Sequence, residues 1–241
     1  MSTRYNPSIV RDSLALYVDA ANVKSYPGSG TTWKDISGKG NDGTLTNEPT
    51  FSSDNGGYLI FDGTNDYVNL GTTAAVITSG SFTVEAWAYK DSTTAENSLF
   101  NIEDSNQGVI LLSAGKSSGS SDDYRFTVRK GAYGANPDLN LLGTVSGVGL
   151  NEWHHFVGTF DNNTGTAILY IDGSQIDNAT NTSVQNFSFS GTLNVGIQIG
   201  VSAGTARFHD GRISQVRAYT SALSASEVQQ NYNALKGRFG L

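Results

Sequence analysis

Residues 151–173, NEWHHFVGTFDNNTGTAILYIDG, hold two apolar runs separated by a short polar segment. The runs at 152–160 and 166–173 are rich in the aromatic and β-branched residues that favour strands. The segment between them, DNNTG (161–165), carries a turn-forming residue at every position. The stretch therefore predicts a β-hairpin, in which two neighbouring strands run antiparallel through a tight turn.

Turn-forming residues recur along the whole chain, where Gly, Ser, Thr, Asn and Asp separate short apolar runs. This spacing is typical of an all-β sandwich or barrel. At 241 residues, such sandwiches commonly form one domain. We expect a single domain over residues 1–241, with residues 1–12 as an N-terminal extension and residues 224–241 as a C-terminal helix and tail. Further strands are predicted at 14–19, 57–63, 66–71, 81–89, 108–113, 123–130, 195–200 and 211–220.

The run SFTVEAWAY (81–89) shows how such a strand divides its side chains between two faces. Because successive side chains of a strand point to opposite sides, one face is aliphatic and the other is amphipathic. The aliphatic face predicts a core contact, and the amphipathic face predicts a partly solvated surface. The aliphatic set is Phe82, Val84, Ala86 and Ala88, and the amphipathic set is Thr83, Glu85, Trp87 and Tyr89.

One short helix is predicted at about 224–236. Ser224 and Glu227 have the spacing of a capping box, in which the serine oxygen accepts a backbone N–H and the glutamate reaches back. Gly237 is expected to end the helix in a left-handed conformation. Residues at helical spacing form one apolar stripe, namely Val228, Tyr232 and Leu235.

Charge and composition exclude several function classes. The net charge is −7 and the 15 Lys and Arg residues are scattered, whereas nucleic-acid-binding proteins normally carry a basic patch. The chain has no Cys, which excludes disulfides, thiolate metal sites and cysteine nucleophiles. Residues 1–13 lack the apolar core of a signal peptide, and no apolar run reaches the length of a membrane span. We therefore expect no nucleic-acid partner, no membrane insertion and folding in a cytoplasm.

Four stretches together resemble the laminin G-like branch of the concanavalin A-like lectin/glucanase superfamily. The hairpin at 151–173 is similar to the W-x-H…LYVDG hairpin of that branch. FDGTNDYV (61–68), SFTVEAWAY (81–89) and DGRISQVRAYTSALSASEV (210–228) follow in the order of the family. The resemblance implies an all-β, concanavalin A-like jelly-roll sandwich of two antiparallel sheets, stacked about 10 Å apart, with one short C-terminal helix.

The N-terminal block at 9–47, IVRDSLALYVDAANVKSYPGSGTTWKDISGKGNDGTLTN, narrows the resemblance. It is similar to a version of this domain that recurs in tailed-phage virion proteins. That similarity implies a non-enzymatic bacteriophage protein at the virion surface, acting in capsid decoration or as part of a fibre. The implied partners are other virion proteins and host-surface glycans, and further copies of the chain remain an alternative.

The loop FDGTNDYVNLG (61–71) is the candidate metal site. Calcium prefers six to eight oxygen ligands, and Asp62, Asn65 and Asp66 offer several from one tight loop. Related domains of the family hold calcium near this loop with an acidic residue from elsewhere, a role that the resemblance implies for Asp210. The following strand reads ISQV, without the aspartate that the family often has there. The alternative is an Asx-type turn that needs no ion.

Enzymatic chemistry has little support in the sequence. The glucanases of the superfamily carry an E-x-D-x-x-E strand, and no such run occurs here. Glu103 and Asp104 are adjacent, so an extended chain would point them to opposite faces, whereas a hydrolytic carboxyl pair needs one face. His154 and His155 are adjacent in the same way. We therefore expect no catalytic residues, and a glycoside hydrolase is the less favoured alternative.

A carbohydrate-binding adhesin with calcium is the main alternative to a decoration protein. Sugar sites stack aromatic faces on pyranose rings and add a few convergent polar groups. If the chain is a decoration protein, we instead expect a large apolar surface patch that is covered by a partner protein. The aromatic candidates, each of which could equally pack in a core, are Trp33, Trp87, Tyr89, Tyr124 and Tyr133.

Overall fold

Strands dominate the part of the chain that the computed structural model describes, which is residues 8–72, 76–77, 79–92, 97–103, 108–115, 123–131, 138–144, 149–187, 191–198 and 207–241. The strands are β1 (Leu14–Asp19), β2 (Thr32–Trp33), β3 (Gly43–Thr46), β4 (Thr50–Ser52), β5 (Tyr58–Asp62), β6 (Tyr67–Thr72), β7 (Phe82–Lys90), β8 (Ser98–Glu103), β9 (Val109–Ser113), β10 (Asp123–Arg129), β11 (Asp138–Thr144), β12 (Trp153–Asp161), β13 (Thr166–Ile171), β14 (Ser174–Thr180), β15 (Thr192–Val195), β16 (Ile197–Gln198), β17 (Arg207–Phe208) and β18 (Asp210–Tyr219).

Two antiparallel sheets of eight strands each contain most of these strands. Sheet A has the order β14-β13-β12-β7-β18-β5-β4, and β1 pairs with β18 next to β5. Sheet B has the order β11-β10-β9-β8-β15-β6-β3-β2, and β16 and β17 form a separate pair. The predicted hairpin is confirmed, because β12 and β13 pair in antiparallel register on either side of residues 162–165. The prediction of an all-β sandwich of two antiparallel sheets is confirmed as well.

The core lies between the two sheets. Alternate side chains enter it from each strand, so Phe82 and Val84 of β7 belong to the same buried cluster as Phe126 of β10. The layer is tightly packed at Gly158 of β12, where a Cβ atom would lie 2.3 Å from a ring carbon of Phe126. The predicted division of β7 into a core face and a second face is therefore confirmed on its core side.

Helix α1 (Ala225–Leu235) packs on the outer face of sheet A. Its predicted capping box is present, because Ser224 Oγ accepts from the Glu227 N–H and Glu227 Oε2 accepts from the Ser224 N–H at 2.8 Å. The predicted end of the helix is wrong: Gly237 lies in a 3-10 turn, Lys236–Arg238, and not in a left-handed conformation. No helix in the described ranges is long and apolar enough to cross a membrane.

The second face of β7 is buried beneath α1, which corrects the expectation of a partly solvated surface. Glu85 is 1% exposed on this face, and its carboxylate forms an ion pair with the fully buried Arg217 of β18. Asn231 of α1 donates from Nδ2 to Glu85 Oε2 at 3.1 Å, and Tyr219 donates to Glu85 Oε1 at 3.4 Å. Burial acts to raise the pKa of Glu85, but Arg217, His155 and Asn231 together outweigh it, so the pKa lies below its ordinary value. A buried charge pair thus links the helix to the sheet.

Candidate functional site

Three of the aromatic residues predicted to bind a sugar are fully buried. Trp33, Trp87 and Tyr124 are each 0% exposed and their rings are packed against other side chains, so none can present a ring face to a ligand. Trp33 and Tyr124 point between the sheets and belong to the core cluster. The binding prediction is therefore wrong for these three residues, because strand alternation and helix packing enclose their rings.

Trp87 is enclosed by the helix and by the chain that follows it. Its ring stacks on Phe239, with ring centroids 4.3 Å apart, and lies nearly parallel to Tyr232 at 5.7 Å. On the sheet, the neighbouring ring is His155, at 5.1 Å. The outer face of sheet A at this point is a hydrophobic contact between sheet and helix, and it leaves no room for a sugar at Trp87.

The other two aromatic candidates have different outcomes. Tyr89 is half-buried, and the Arg212 guanidinium lies 4.0 Å from the centre of its ring. Arg212 also pairs with Asp91 at 3.4 Å, so one face of the Tyr89 ring is already occupied. Tyr133 lies outside the described residues.

The loop between β5 and β6 adopts the Asx-type turn that the sequence offered as the alternative to calcium. Asp62 Oδ1 accepts from the Thr64 N–H at 2.8 Å and from the Asn65 N–H at 3.2 Å. Asp66 Oδ2 accepts from the Asp62 N–H at 3.2 Å. The backbone donation from Thr64 lowers the pKa of Asp62, whereas burial, with Asp62 nearby, raises the pKa of Asp66. The loop is thus folded by its own hydrogen bonds.

Asp210 reaches this loop as the resemblance implied. It pairs directly with Asp62 in the register of β18 and β5, and Gly63 is needed beside it because a Cβ there would lie 2.8 Å from Asp210 Cβ. Even so, the described residues contain no group of three His, Asp or Glu side chains that could hold a metal ion. Calcium at this loop stays a prediction.

The histidines are separated and buried. His154 and His155 point to opposite faces of β12, as predicted: His154 Nδ1 lies 2.7 Å from Asp172 Oδ2, and His155 Nε2 lies 3.4 Å from Glu85 Oε2. His209 is fully buried before β18, and its ring meets Phe61 edge-on. Burial lowers the pKa of His209 to about 4, so this imidazole is neutral in the folded protein near neutral pH.

A row of side-chain amides crosses the outer face of sheet B. Asn194 of β15 lies opposite Asn69 of β6 on one side and opposite Asn101 of β8 on the other. Beyond Asn101 the register continues through Leu111 and Thr127 to Asn140 of β11. The residues flanking each of the three adjacent asparagines belong to the core cluster, so the asparagines point outward. We call Asn69, Asn194, Asn101 and Asn140 the amide row.

The centre of the amide row is buried and lacks hydrogen-bond partners. Asn101 is 0% exposed and Asn194 is 2% exposed. Neither amide atom of Asn101 has a partner in the described part of the protein, nor has Oδ1 of Asn194. The ends of the row are more open, since Asn69 is half-buried and Asn140 is exposed. Buried polar groups are normally paired, so these amides keep hydrogen-bonding capacity that water or a ligand would satisfy.

The amide row was not predicted from the sequence, although its signal is present there. A single Asn interrupts four apolar runs, at VNL (68–70), FNI (100–102), LNL (139–141) and LNV (193–195). Asparagine is uncommon in strands, and its amide is costly to bury in an apolar core without a hydrogen-bond partner. Four such positions therefore mark one polar face, but only the pairing of the strands places them side by side.

The comparisons with known proteins agree with the fold. A family model described as the concanavalin A-like lectin/glucanases superfamily matches residues 62–229. Among solved structures, domain 4 of AbnA, an extracellular arabinanase of Geobacillus stearothermophilus solved in complex with arabinotriose, has a TM-score of 0.67 at 18% identity. That alignment covers 91% of this chain and 98% of the domain. No curated protein matches the chain.

Two toxin binding domains are similar over part of their length. The binding domain of botulinum neurotoxin DC, in complex with SialylT, has a TM-score of 0.67 at 14% identity. The binding domain of Paraclostridial Mosquitocidal Protein 1 has a TM-score of 0.70 at 15% identity. In both cases 93% of this chain is covered but only 52% of the toxin domain, so the chain spans about half the length of these domains. The chain belongs to the concanavalin A-like lectin/glucanase superfamily and has a lectin-like binding fold.

Proposed function

We propose that the protein is a non-enzymatic glycan-binding domain whose binding surface is the amide row of sheet B. The observation that carries this proposal is that both amide atoms of the buried Asn101 and Oδ1 of the buried Asn194 have no hydrogen-bond partner within the described part of the chain. An unpaired buried polar group costs about 1–3 kcal/mol, so a fold that keeps two of them together gains from a ligand that pairs with them.

The chemistry of the row suits a sugar. A side-chain amide has two donor hydrogens and one acceptor oxygen, which matches hydroxyl groups that both donate and accept. At the ends of the row the oxygens of Asn69 and Asn140 already accept hydrogen bonds, so their NH₂ groups are the free donors. Adjacent strands lie about 4.8 Å apart, so Asn69, Asn194 and Asn101 present amides at regular intervals along one line. At the open end, Arg125 Nε donates to Asn140 Oδ1 at 3.0 Å and holds that amide in a fixed orientation.

The structural neighbours support the same ligand class. AbnA domain 4 was solved with arabinotriose, and the neurotoxin domain was solved with SialylT. Their identity to this chain is 18% or less, so they support the fold and the class of ligand and do not identify a sugar. The proposal for this chain therefore rests on its own amide row.

Replacing Asn101 by leucine is expected to change binding and stability in opposite directions. Asn101→Leu removes a buried, unpartnered amide and keeps a branched side chain, so we expect the free energy of unfolding to rise by about 1–3 kcal/mol. The same change removes hydrogen bonds to the glycan that binds the amide row, so the strongest signal on a glycan array is expected to fall sharply. Urea unfolding and the array, each run on purified protein, measure the two effects.

The matched control is Asn178→Ala, an exposed asparagine of β14 on sheet A, which should leave the array signals unchanged. Running the array in calcium and in chelator also tests the loop at Asp62, since loss of binding in chelator would support calcium there. If Asn101→Leu bound glycans as the unaltered protein does, the assignment of the amide row would be wrong. Release of reducing sugar from a bound glycan would overturn the non-enzymatic part of the proposal.

We further propose that the domain acts at a bacteriophage virion surface, in contact with other virion proteins, after folding in the host cytoplasm. The support is the resemblance of residues 9–47 to tailed-phage virion domains. In the structure this block forms β1, β2 and β3 and is built into both sheets. An antibody raised against the domain should label intact phage particles in electron micrographs. Detection of the protein in infected cells but never on particles would contradict this placement.

A further inference from the structure

A groove lies on the other sheet, between the outer face of sheet A and the segment that leads into α1. Its volume is about 410 Å³. Strands β12 and β13 form one wall, the hairpin turn at 162–165 closes one end, and residues 222–225 form the opposite wall. The groove shares no residue with the amide row, and it lies within the volume range of small-ligand sites.

Two hydroxyl groups on largely buried residues line this groove without partners. Thr159 is 3% exposed and Tyr170 is 2% exposed, and neither side chain makes a hydrogen bond within the described part of the chain. Burial raises the pKa of the Tyr170 hydroxyl, which therefore stays protonated and able to donate. The Gln175 amide lines the groove beside them. Hydroxyl and amide groups with unused donors and acceptors thus face one open groove.

The charges around the groove exclude an anionic ligand. None of the described residues that line it is Lys, Arg or His. Asp161 is the charged group there, and donation from the Asn163 N–H holds the pKa of Asp161 below its ordinary value, so it is ionised. The first turn of α1 offers no anion site either, because the Glu227 carboxylate and Ser224 already cap it. A phosphate, sulfate or carboxylate would meet negative charge without compensation.

Part of the lining is apolar. Ile168 lies on the strand side and Leu223 on the helix side, so a ligand between them would contact aliphatic surface as well as hydroxyl groups. This mixture suits the alternating C–H and O–H surface of an uncharged sugar. We propose that the groove is a second binding site, for a neutral saccharide, formed by Thr159, Tyr170 and Gln175. It goes beyond the proposed function, since it requires neither the amide row nor a shared ligand.

Methyl-resolved NMR tests this site directly, with Ile168 and Thr159 methyl groups as reporters. The probes are neutral sugars (glucose, galactose, mannose, arabinose and their trisaccharides), with sialyllactose and glucose 6-phosphate as anionic comparisons. At least one neutral sugar should shift the methyl resonances of both reporters, and the anionic probes should leave them unchanged. Thr159→Val and Tyr170→Phe each remove one hydroxyl and keep the shape of the side chain. Each should therefore lower the affinity for that sugar by about fivefold to tenfold.

Two further variants keep the outcome interpretable. Thr50→Val, at an exposed position on β4, should leave the affinity unchanged. Asn101→Leu should weaken binding at the amide row but leave the affinity read from the groove reporters unchanged, which separates the two sites. Unmoved reporters with every neutral sugar, a preference for the anionic probes, or full affinity in both hydroxyl variants would each overturn the proposal.

Discussion

Glu85→Ala will destabilise the folded protein by about 3–5 kcal/mol, the cost of leaving one member of a buried ion pair without its partner. The alanine removes the carboxylate that neutralises Arg217, and both side chains are at most 1% exposed. It also removes the acceptor for Asn231 of α1. Urea unfolding followed by tryptophan fluorescence measures the loss, since Trp87 reports on the contact between sheet A and the helix.

Two companion variants separate charge from packing. Glu85→Gln retains the size and an acceptor for Asn231 but loses the charge, so its cost should lie between those of the unaltered protein and Glu85→Ala. The double change Glu85→Leu with Arg217→Met removes both charges, and most of the lost stability should return. A loss below about 1 kcal/mol for Glu85→Ala would contradict a buried charge pair at this position.

The stability of the protein will fall as the pH drops from about 6.5 towards about 4, because His209 is neutral in the folded state. Its pKa is near 6.5 when unfolded and about 4 when folded, so between these values the unfolded chain binds a proton that the folded chain does not. The stability that depends on this histidine is therefore complete above about pH 6.5 and decreases below it. Integrated over the interval, the loss approaches about 3 kcal/mol.

Urea unfolding at several pH values between 7.5 and 4.5 gives this loss as a slope. His209→Gln provides the comparison, because glutamine does not titrate and the other groups titrate in both proteins. The variant should show a shallower fall in unfolding free energy with decreasing pH, whatever its absolute stability. Equal slopes for the two proteins would mean that His209 gains its proton in the folded state as readily as in the unfolded state.

Features encoded by neighbouring residues were predictable from the sequence. The hairpin at 151–173 formed as expected, because its turn chemistry and both strands lie in one continuous stretch. The capping box at Ser224 and Glu227 also formed, since both partners are three residues apart. The strand at 195–200 was misplaced: β15 covers Thr192–Val195 and β16 covers Ile197–Gln198, with Gly196 at a φ of 81° between them.

Features that depend on distant residues were not predictable in the same way. The burial of Trp87 follows from where α1 and Phe239 dock, which the alternation within β7 does not contain. Glu85 has no ionic partner near it in sequence, because Arg217 arrives from β18. The amide row likewise needs the order β8-β15-β6, which joins segments more than 100 residues apart in some pairs. Nonlocal strand pairing, and not residue type, brings these groups together.

The central claim is that a glycan occupies the amide row, and side-chain NMR of the asparagines tests it most directly. The glycan with the strongest array signal is added to ¹⁵N-labelled protein, and the side-chain NH₂ resonances are assigned by comparison with Asn101→Leu and Asn194→Ala. We predict that the Asn101 and Asn194 resonances shift and saturate together, while that of Asn178 on sheet A stays unchanged. Saturable binding that leaves both the Asn101 and the Asn194 resonances in place would contradict it.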